Sequence, residues 1–263
     1  LFIKVFPNIK FIARETNVVS EHVKRKEIRF FYKFYNNYDQ IIAQSDDMKN
    51  DLTDKFNIKK EKIFKINNPV DFQFINAKLK NISKPESFPS HYKNVVAIGN
   101  LSSRKGFDQL LKVFCHLKDK NILLHILGDG KDALMLHQMK LMLDLDHVIF
   151  HGRQENPYRF LKFADLFVLS SRYEGFPNVL LEAGACGTFS LANDCPGGIR
   201  EIIQSGINGE IADIEDPEDF ARMISHLLQQ DFDKETIVNS IKSRFSKEII
   251  LNTYEKVLLD LVK

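Results

Sequence analysis

The 263-residue chain has little cysteine: Cys115, Cys186 and Cys195 lie far apart, and no CxxC pair is present. An odd number of scattered cysteines argues against a disulfide framework and indicates a reducing, cytoplasmic compartment. The three cysteines and eight histidines also lack the ligand spacing of a zinc site.

Long apolar runs are absent as well. No stretch reaches the roughly 18 residues of a membrane-spanning helix, and no signal peptide is visible. The 37 basic and 35 acidic side chains nearly balance, so the sequence carries no electrostatic footprint of a nucleic-acid-binding protein. The chain begins LFIKVF without an initiator methionine, from which we expect an N-terminally truncated fragment.

Short apolar runs alternate with segments of helical period, which is typical of a parallel sheet covered by crossover helices. Runs such as VVAIG and LFVLS are apolar on both faces, as fully covered parallel strands must be. The fold class is therefore predicted to be α/β. The predicted strands are 9–13, 40–44, 62–66, 95–99, 123–127, 148–152, 166–170 and 189–193.

A break in this pattern falls between the third and fourth strands. NNPVD (67–71) contains a proline that cannot continue a central strand, and the polar stretch 77–94 contains two more, which is typical of an excursion or linker. The three strands before the break are too few for an independent domain. We interpret residues 1–68 as the C-terminal part of a Rossmann-like domain whose beginning is missing.

The rest of the chain has enough strand–helix units for a Rossmann-like domain of its own, predicted over residues 69–245. The final segment, 246–263, has the pattern of an amphipathic helix. It either crosses back to the first domain or is a plain terminal helix.

The segments that follow the strands of the larger domain share glycines and cations. In an open parallel sheet, ligands bind outside the carboxyl ends of the strands. Glycine lets the backbone approach a ligand closely, and Arg104 and Lys105 just before a helix would bind phosphate. One such loop would be ordinary turn chemistry, but five at one edge indicate a ligand site. The loops begin at Asn100, Gly128, Arg153, Ser171 and Asp194.

Two glutamates stand eight positions apart in SRYEGFPNVLLEAGACG. Pro177 favours a first helical turn and Gly187 the position after a last turn, so a helix over about 177–186 begins at the ligand edge. Glu182 lies inside an apolar run, and a buried carboxylate without a partner is unfavourable. We expect it to face the cleft with Asn178, where it would accept two hydroxyl donors such as those of a ribose. Glu174 would lie nearer the reactive end of the ligand.

The stretch YEGFPNVLLEAGACG resembles the E-x7-E signature of the retaining glycosyltransferases of family 4, which have the two-domain GT-B fold. The resemblance continues in order through NNPVD, VVAIGNLSSRKGFDQLLKVF, LLHILGDG, VIFHGRQENPYRFLKFADLFVLS, CPGGIREII and SGINGEI, over roughly residues 60 to 228. Asn100 stands where the family usually has arginine, and Phe189 where proline is common.

The resemblance implies transfer of a sugar from a nucleotide-diphosphate sugar to the hydroxyl of a glycan or lipid-linked glycan, with the anomeric configuration retained. The setting it implies is bacterial surface polysaccharide or glycolipid synthesis. Lys105, with Arg104 beside it, would bind the diphosphate, Glu182 the ribose and Glu174 the transferred sugar. Glu174 and Lys105 are the predicted catalytic residues.

The remaining implied contacts involve the backbone. The segment around Gly152 and Arg153 would hold the base of the donor. The residues whose backbone would approach the phosphates or the sugar are Gly175, Phe176, Pro177, Asn178 and Val179. No cofactor or metal is expected, because the D-x-D pair Asp144 and Asp146 precedes a predicted strand and so lies at the opposite edge from the ligand loops.

Residues 20–38, SEHVKRKEIRFFYKFYNNY, mix basic and aromatic side chains in a predicted helix with Ser20 as its N-cap. Such a helix can lie on an anionic membrane surface, here the cytoplasmic face, which would suit a lipid-linked acceptor. An ordinary packed helix with a solvated basic face has the same pattern.

Two other functions compete with glycosyl transfer. The first is a nucleotide-sugar-binding subunit without activity of its own, which needs a partner for the acceptor half. The second is a dehydrogenase, which is disfavoured because no predicted strand is followed by G-x-G-x-x-G with an acidic residue further on.

Overall fold

The computed structural model describes residue 6, residues 8–117, residue 119 and residues 121–262. The first residues of the predicted 1–68 segment and Lys263 of the predicted terminal helix lie outside this described part.

The strands are β1 (Ile12–Arg14), β2 (Gln40–Ala43), β3 (Ile63–Lys65), β4 (Lys93–Ile98), β5 (Ile122–Leu127), β6 (Val148–Phe150), β7 (Leu166–Leu169), β8 (Ser190–Asn193) and β9 (Gly209–Ala212). The helices are α1 (Val19–His22), α2 (Lys26–Phe31), α3 (Asp46–Phe56), α4 (Phe72–Lys78), α5 (Phe107–Cys115), α6 (Ala133–Met142), α7 (Pro157–Phe163), α8 (Asn178–Ala185), α9 (Ile199–Ile202), α10 (Pro217–Leu227), α11 (Lys234–Phe245) and α12 (Lys247–Val262).

The predicted α/β class is confirmed, because the described strands form two parallel sheets. All eight predicted strands are present, and β9 is an additional one. β9 pairs with β8 at the edge of the larger sheet, and three of its four residues are only half-buried. A short, half-exposed edge strand lacks the apolar run by which the other strands were predicted.

The first sheet has the order β1-β2-β3. Helix α3 covers it and begins after Ser45, whose Oγ accepts a hydrogen bond from the Met48 N–H at 3.2 Å. Met48 and Leu52 are buried against Ile41 of β2. The helix ends at Phe56, and Asn57 directly after it has a left-handed backbone conformation.

The second sheet has the order β6-β5-β4-β7-β8-β9. The chain moves outward from β4 to β6, returns to β7 beside β4, and then moves outward in the other direction. Apolar side chains point alternately to its two helical layers: Val95 packs in one core with Phe114, and Val96 in the other with Phe160. The loops after β4 and β7 diverge at this reversal of strand order, so the topology places a crevice between them.

The chain crosses between the sheets twice, and the two crossings lie side by side. The Val70 N–H donates to the Phe245 carbonyl at 2.8 Å, and the Lys247 N–H donates to the Val70 carbonyl at 3.1 Å. After the second crossing, Ile250 of α12 packs in a buried cluster with Ile42 and Ile66 beside the first sheet. Helix α12 therefore covers the first sheet. None of the helices among residues 8–117 and 121–262 has the length and hydropathy needed to cross a membrane.

Polar contacts also join the two parts of the chain. Glu201 of α9 accepts from the Asp46 N–H at 2.7 Å through Oε1 and from Lys65 Nζ at 3.0 Å through Oε2. Asp47 Oδ2 accepts from the Gly197 N–H at 2.9 Å. These bonds hold the carboxyl edges of the two sheets facing each other.

The prediction of a single helix over 20–38 is wrong. The segment forms α1, α2 and a 3-10 turn, with extended backbone at Val23. Ser20 lies inside α1 and is not an N-cap: its N–H donates to Asp51 Oδ2 at 2.9 Å, and its Oγ accepts from Lys55 Nζ at 2.8 Å. These tertiary bonds to α3 outweigh the local helical preference and bend the segment.

Candidate functional site

A cavity of about 720 Å³ opens between the two sheets, at the reversal of strand order in the second one. Its walls come from the loops after β4 and β7, the start of α8, and the carboxyl ends of β1 and β2. Most of the predicted site residues therefore meet in one place. Those that line the cavity are Arg104, Lys105, Glu174, Gly175, Phe176, Pro177, Asn178, Val179 and Glu182.

Glu174 is the centre of a charged cluster in this cavity and is only 5% exposed. Its Oε1 accepts from Lys105 Nζ at 2.6 Å and from Ser171 Oγ at 2.6 Å, and its Oε2 accepts from Arg104 Nη1 at 2.7 Å. Burial by itself raises the pKa of Glu174, but the charges of Lys105 and Arg104 outweigh it and hold the pKa below its usual range. The carboxylate is therefore ionised, and the two cations and one anion leave one net positive charge.

Gly106 allows the loop after β4 to reach this cluster. Its φ of +65° is in the left-handed region, and a Cβ there would lie 1.9 Å from the Ser170 carbonyl oxygen. The loop thus presses against the end of β7, where Ser170 Oγ donates to the Lys105 carbonyl at 2.8 Å. A side chain at this position would clash with the Ser170 carbonyl, so the close approach of the two loops requires glycine.

Arg172 locks the same two loops together from the other side. Its guanidinium makes a bidentate pair with Asp108 of α5, at 2.8 and 2.7 Å. The backbone N–H of Arg172 donates to the Arg104 carbonyl at 2.8 Å. The backbone that carries Arg104 and Lys105 is therefore held independently of their contacts with Glu174.

The loop that carries Glu174 is also held by the loop after β8. The Glu174 N–H donates to the Pro196 carbonyl at 2.9 Å, and the Gly198 N–H donates to the Gly175 carbonyl at 2.8 Å. A Cβ on Gly175 would lie 2.0 Å from the Thr16 carbonyl oxygen. Glycine at this position lets the loop touch the first part of the chain and close the cavity on that side.

Glu182 lies in the same cavity in a different electrostatic environment. It stands one helical turn after Asn178 in α8, as the sequence predicts. Burial raises its pKa to about 7, against a weaker opposing effect of the Tyr158 hydroxyl 3.5 Å from Oε1. Among the described residues no cation pairs with it, so the carboxyl group can still accept hydrogen bonds from a ligand.

Arg153 lines an adjoining cavity of about 500 Å³, which shares Ile98, Gly99 and Asn100 with the first. Gly152 does not line either of these two cavities, and its carbonyl accepts from the Gly128 N–H at 2.8 Å. Apart from Gly152, the predicted residues therefore lie along a crevice that has two sections. The base-binding role of Gly152 and Arg153 stays a prediction.

The sequence reasoning missed five lining residues from the first part of the chain: Arg14, Thr16, Asn17, Gln44 and Asn68. Arg14 Nη2 donates to Asn68 Oδ1 at 2.8 Å, and Asn68 Nδ2 donates to the Phe176 carbonyl at 3.1 Å and to Asn178 Oδ1 at 2.7 Å. A signal was present, because Arg14 ends β1 and Gln44 directly follows β2. The rule that ligands bind outside the carboxyl ends of parallel strands, applied to the first sheet, would have predicted Arg14 and Gln44 as site residues.

No group of three or more metal-ligating side chains converges anywhere in the described part of the chain. Asp144 and Asp146 precede β6 and so lie at the edge opposite the cavity. The polar groups of the cavity wall are cations, amides and two carboxylates with different environments, which suits a ligand that carries both phosphates and hydroxyl groups.

Two parallel α/β sheets that face each other across a cleft, which is lined by the loops at their carboxyl edges, define the GT-B class of fold. The chain matches the model described as glycosyl transferases group 1 over residues 79–244 and the model described as glycosyltransferase family 4 over residues 16–74. The first match alone covers more than half of the chain. The protein belongs to the family 4 glycosyltransferases, and the resemblance drawn from the E-x7-E stretch is confirmed.

Relatives and solved structures agree with this assignment. The chain is 32% identical over 220 residues to an uncharacterized glycosyltransferase of Methanocaldococcus jannaschii, a match that covers 78% of this chain and 53% of the relative. It is 28% identical over 231 residues to the Campylobacter jejuni N-acetylgalactosamine-N,N'-diacetylbacillosaminyl-diphospho-undecaprenol 4-alpha-N-acetylgalactosaminyltransferase. This match covers 86% of this chain and 61% of the relative. The structure of Anabaena HepE in complex with UDP superposes with a TM-score of 0.84 at 19% identity, covering 95% of this chain and 72% of that one. The chain thus spans between about half and three fifths of the length of these curated relatives.

Proposed function

We propose that the protein transfers a sugar from a nucleotide-diphosphate sugar to an acceptor hydroxyl with retention of the anomeric configuration. The observation that carries this proposal is the cluster of Lys105, Arg104 and Glu174 in the inter-sheet cavity. Membership of family 4 supports it. Lys105 and Arg104 would contact the diphosphate at the point where the donor bond breaks.

The cluster suits the charge changes of this reaction. As the bond between the anomeric carbon and the diphosphate lengthens, the sugar becomes cation-like and the leaving oxygen gains negative charge. Cations that are already fixed in place stabilise this charge without reorganising during the reaction. Lys105 is held by its bond to Glu174, and the loops after β4 and β7 are tied together by Arg172.

We assign Glu174 a positioning role and not that of a nucleophile. Both of its oxygens already accept hydrogen bonds from cations, Oε1 from Lys105 and Oε2 from Arg104. A carboxylate whose pKa is lowered by two cations is a weak nucleophile. Glu174 would instead hold the two cations and orient the transferred sugar, while Glu182, which pairs with no cation in the described part of the chain, would bind the ribose hydroxyls.

The relatives suggest donor and acceptor classes. The structure of Anabaena HepE is a complex with UDP, so a UDP-sugar is the first donor to test. The name of the Campylobacter relative includes a diphospho-undecaprenol carrier, so we propose a lipid-linked glycan acceptor in surface polysaccharide or glycolipid synthesis. Such an acceptor would require the protein to work at a membrane surface, on the cytoplasmic face.

A thermal-shift and turnover panel of UDP-, GDP- and ADP-sugars tests the proposal. We expect the nucleotide-sugars that carry one particular base to raise the melting temperature of the protein by about 5 °C or more at saturating concentration. The substitution Lys105→Ala should remove most of that shift. Binding without hydrolysis or transfer to any hydroxyl would favour the donor-binding subunit over the enzyme. If none of the three donor classes binds, the proposal is wrong.

A further inference from the structure

A second cavity, of about 530 Å³, lies in the first part of the chain. It is formed by α2, the residues on either side of it, and the end of α3. It shares no lining residue with the inter-sheet cavity described above. It is therefore a separate site, and we call it the basic cavity. Its lining residues are Lys24, Lys26, Arg29, Phe30, Tyr32, Lys33, Lys55, Phe56 and Asn57.

The basic cavity has an excess of positive charge, because five of its lining residues are cations and none is acidic. Lys24 and Lys55 have carboxylate partners, Glu21 at 3.3 Å and Asp51 at 3.2 Å. The other three cations, Lys26, Arg29 and Lys33, have no carboxylate partner among the described residues. The cavity therefore presents uncompensated charge to a ligand.

Aromatic rings hold two of these cations without neutralising them. The Arg29 guanidinium lies 5.1 Å from the centre of the Phe56 ring, and Lys33 Nζ lies 5.1 Å from the centre of the Phe30 ring. Such contacts orient a cation while its charge stays available to an anion. Lys33 and Arg29 are thus placed for a ligand that carries negative charge.

Exposed apolar side chains lie on the same helix as Arg29: Phe30 lines the basic cavity, and the centre of its ring lies 6.1 Å from that of Phe31. Ile28, Phe30 and Phe31 of α2 are 46%, 51% and 59% exposed. A single exposed apolar residue is ordinary, but three within four positions, next to uncompensated cations, are typical of a surface that enters the interfacial layer of a membrane. The charge and the apolar rings together match a phospholipid: an anionic head group and the acyl region below it.

We propose that the basic cavity binds the phosphate of an anionic phospholipid head group. Lys26, Arg29 and Lys33 contact the phosphate, while Phe30 and Phe31 enter the lipid interface. This site would hold the protein at the membrane surface, and the proposal rests on the membrane location given under the proposed function. It involves none of the residues assigned to the donor.

Vesicle co-sedimentation tests the proposal, with phosphatidylcholine alone and with phosphatidylcholine mixed with phosphatidylglycerol. We expect binding to the mixed vesicles only, weakened by added salt. The triple variant Lys26→Glu, Arg29→Glu, Lys33→Glu should bind at least about 100-fold more weakly, since each cation near an anionic surface contributes about fivefold. The matched control is a triple variant that alters the net charge by the same amount at exposed positions outside the basic cavity: Lys112→Glu, Lys242→Glu, Lys256→Glu. It should retain most of the vesicle binding.

Two further measurements separate the outcomes. Phe30→Ser with Phe31→Ser should reduce vesicle binding without changing the charge. The thermal shift produced by the nucleotide-sugar should be the same in the triple variant as in the wild type, which also shows that the variant is folded. Equal vesicle binding by the wild type and the triple variant would overturn the proposal, as would binding of inorganic phosphate without binding of anionic vesicles.

Discussion

Lys105 and Glu174 form an ion pair between two loops that are 69 residues apart in sequence, with Nζ 2.6 Å from Oε1. The loops meet because β4 and β7 are neighbours at the reversal of strand order. The pair is nearly buried, with side-chain exposures of 12% and 6%. A pair in this position orders a cation next to the cavity and keeps the glutamate ionised.

Replacing Lys105 by alanine should lower turnover by about 2–4 kcal/mol, the scale of one lost oxyanion donor, or roughly 30- to 1,000-fold. The reason is that the leaving diphosphate loses the better buried of its two proposed cations. The measurement is kcat for donor hydrolysis or transfer. Lys93→Ala, at the opposite end of β4, is the matched control and should behave as the wild type. Near-wild-type turnover by Lys105→Ala would exclude the assigned role.

Glu182→Gln should change both donor affinity and its pH dependence. Since burial raises the pKa of Glu182 to about 7, the carboxylate that accepts the ribose hydroxyls forms only as the pH rises through that value. Donor affinity of the wild type should therefore increase from pH 6 to pH 8, and that of the variant should be lower and nearly constant. Isothermal titration calorimetry at several pH values measures the donor affinity of both proteins. A variant with the wild-type pH profile would contradict the ribose assignment.

The same substitution should make the protein more stable in mild alkali. A carboxyl whose folded-state pKa is raised from 4.5 to about 7 stabilises the fold below pH 4.5, and that contribution is lost as the pH rises through 7. At pH 8 the glutamine variant avoids the buried charge and should gain up to about 3 kcal/mol. Melting temperatures at pH 5 and pH 8 test this, with Glu86→Gln, an exposed position, as the control.

Asn68→Ala should weaken donor binding by roughly tenfold or more, because it removes the amide that joins Arg14 to the backbone of Phe176 and the side chain of Asn178. Its neighbour Asn67 bonds the Gln44 carbonyl and Glu201 and is a matched control. Both alanine variants should lower the melting temperature, but only Asn68→Ala should raise the donor Kd. Equal Kd values for the two would show that Asn68 acts through stability alone.

The protein should lose stability on acidification because of a buried histidine pair. His125 Nδ1 lies 2.9 Å from His151 Nε2, and burial, with the nearby His151, lowers the pKa of His125 to about 3. A histidine that stays neutral in the folded state contributes stability above pH 6.5, its ordinary pKa, and that stability is lost as the pH falls from there towards 3.

Urea unfolding at several pH values measures this effect. Well below pH 6.5, His125 should contribute a loss of about 1.4 kcal/mol for each pH unit. His125→Gln should be less stable at pH 7.5 but show a shallower decline towards pH 5. His137→Gln, at an exposed position on α6, is the control and should decline as the wild type does. A decline as steep in His125→Gln as in the wild type would exclude His125 as its cause.

Much of the architecture and of the cavity could be predicted from local patterns. Fully apolar runs identified the buried strands, and Pro177 and Gly187 bounded α8 to within a residue or two. The rule that ligand loops follow parallel strands then brought Lys105 and Glu174 to one edge. It was not applied to the shorter first sheet, and so Arg14 was missed although it ends β1.

The sequence by itself determined the α/β class, the family and the set of polar residues at the carboxyl edge, because these depend on residue spacing along single strands and helices. Only the tertiary structure decided which partners those residues have: that Glu174 is held by two cations while Glu182 has none, that Asn68 spans the cleft, and that residues 20–38 bend into a basic cavity. The physical reason is that pKa values, buried ion pairs and helix breaks depend on contacts between distant segments, whose energies exceed local preferences.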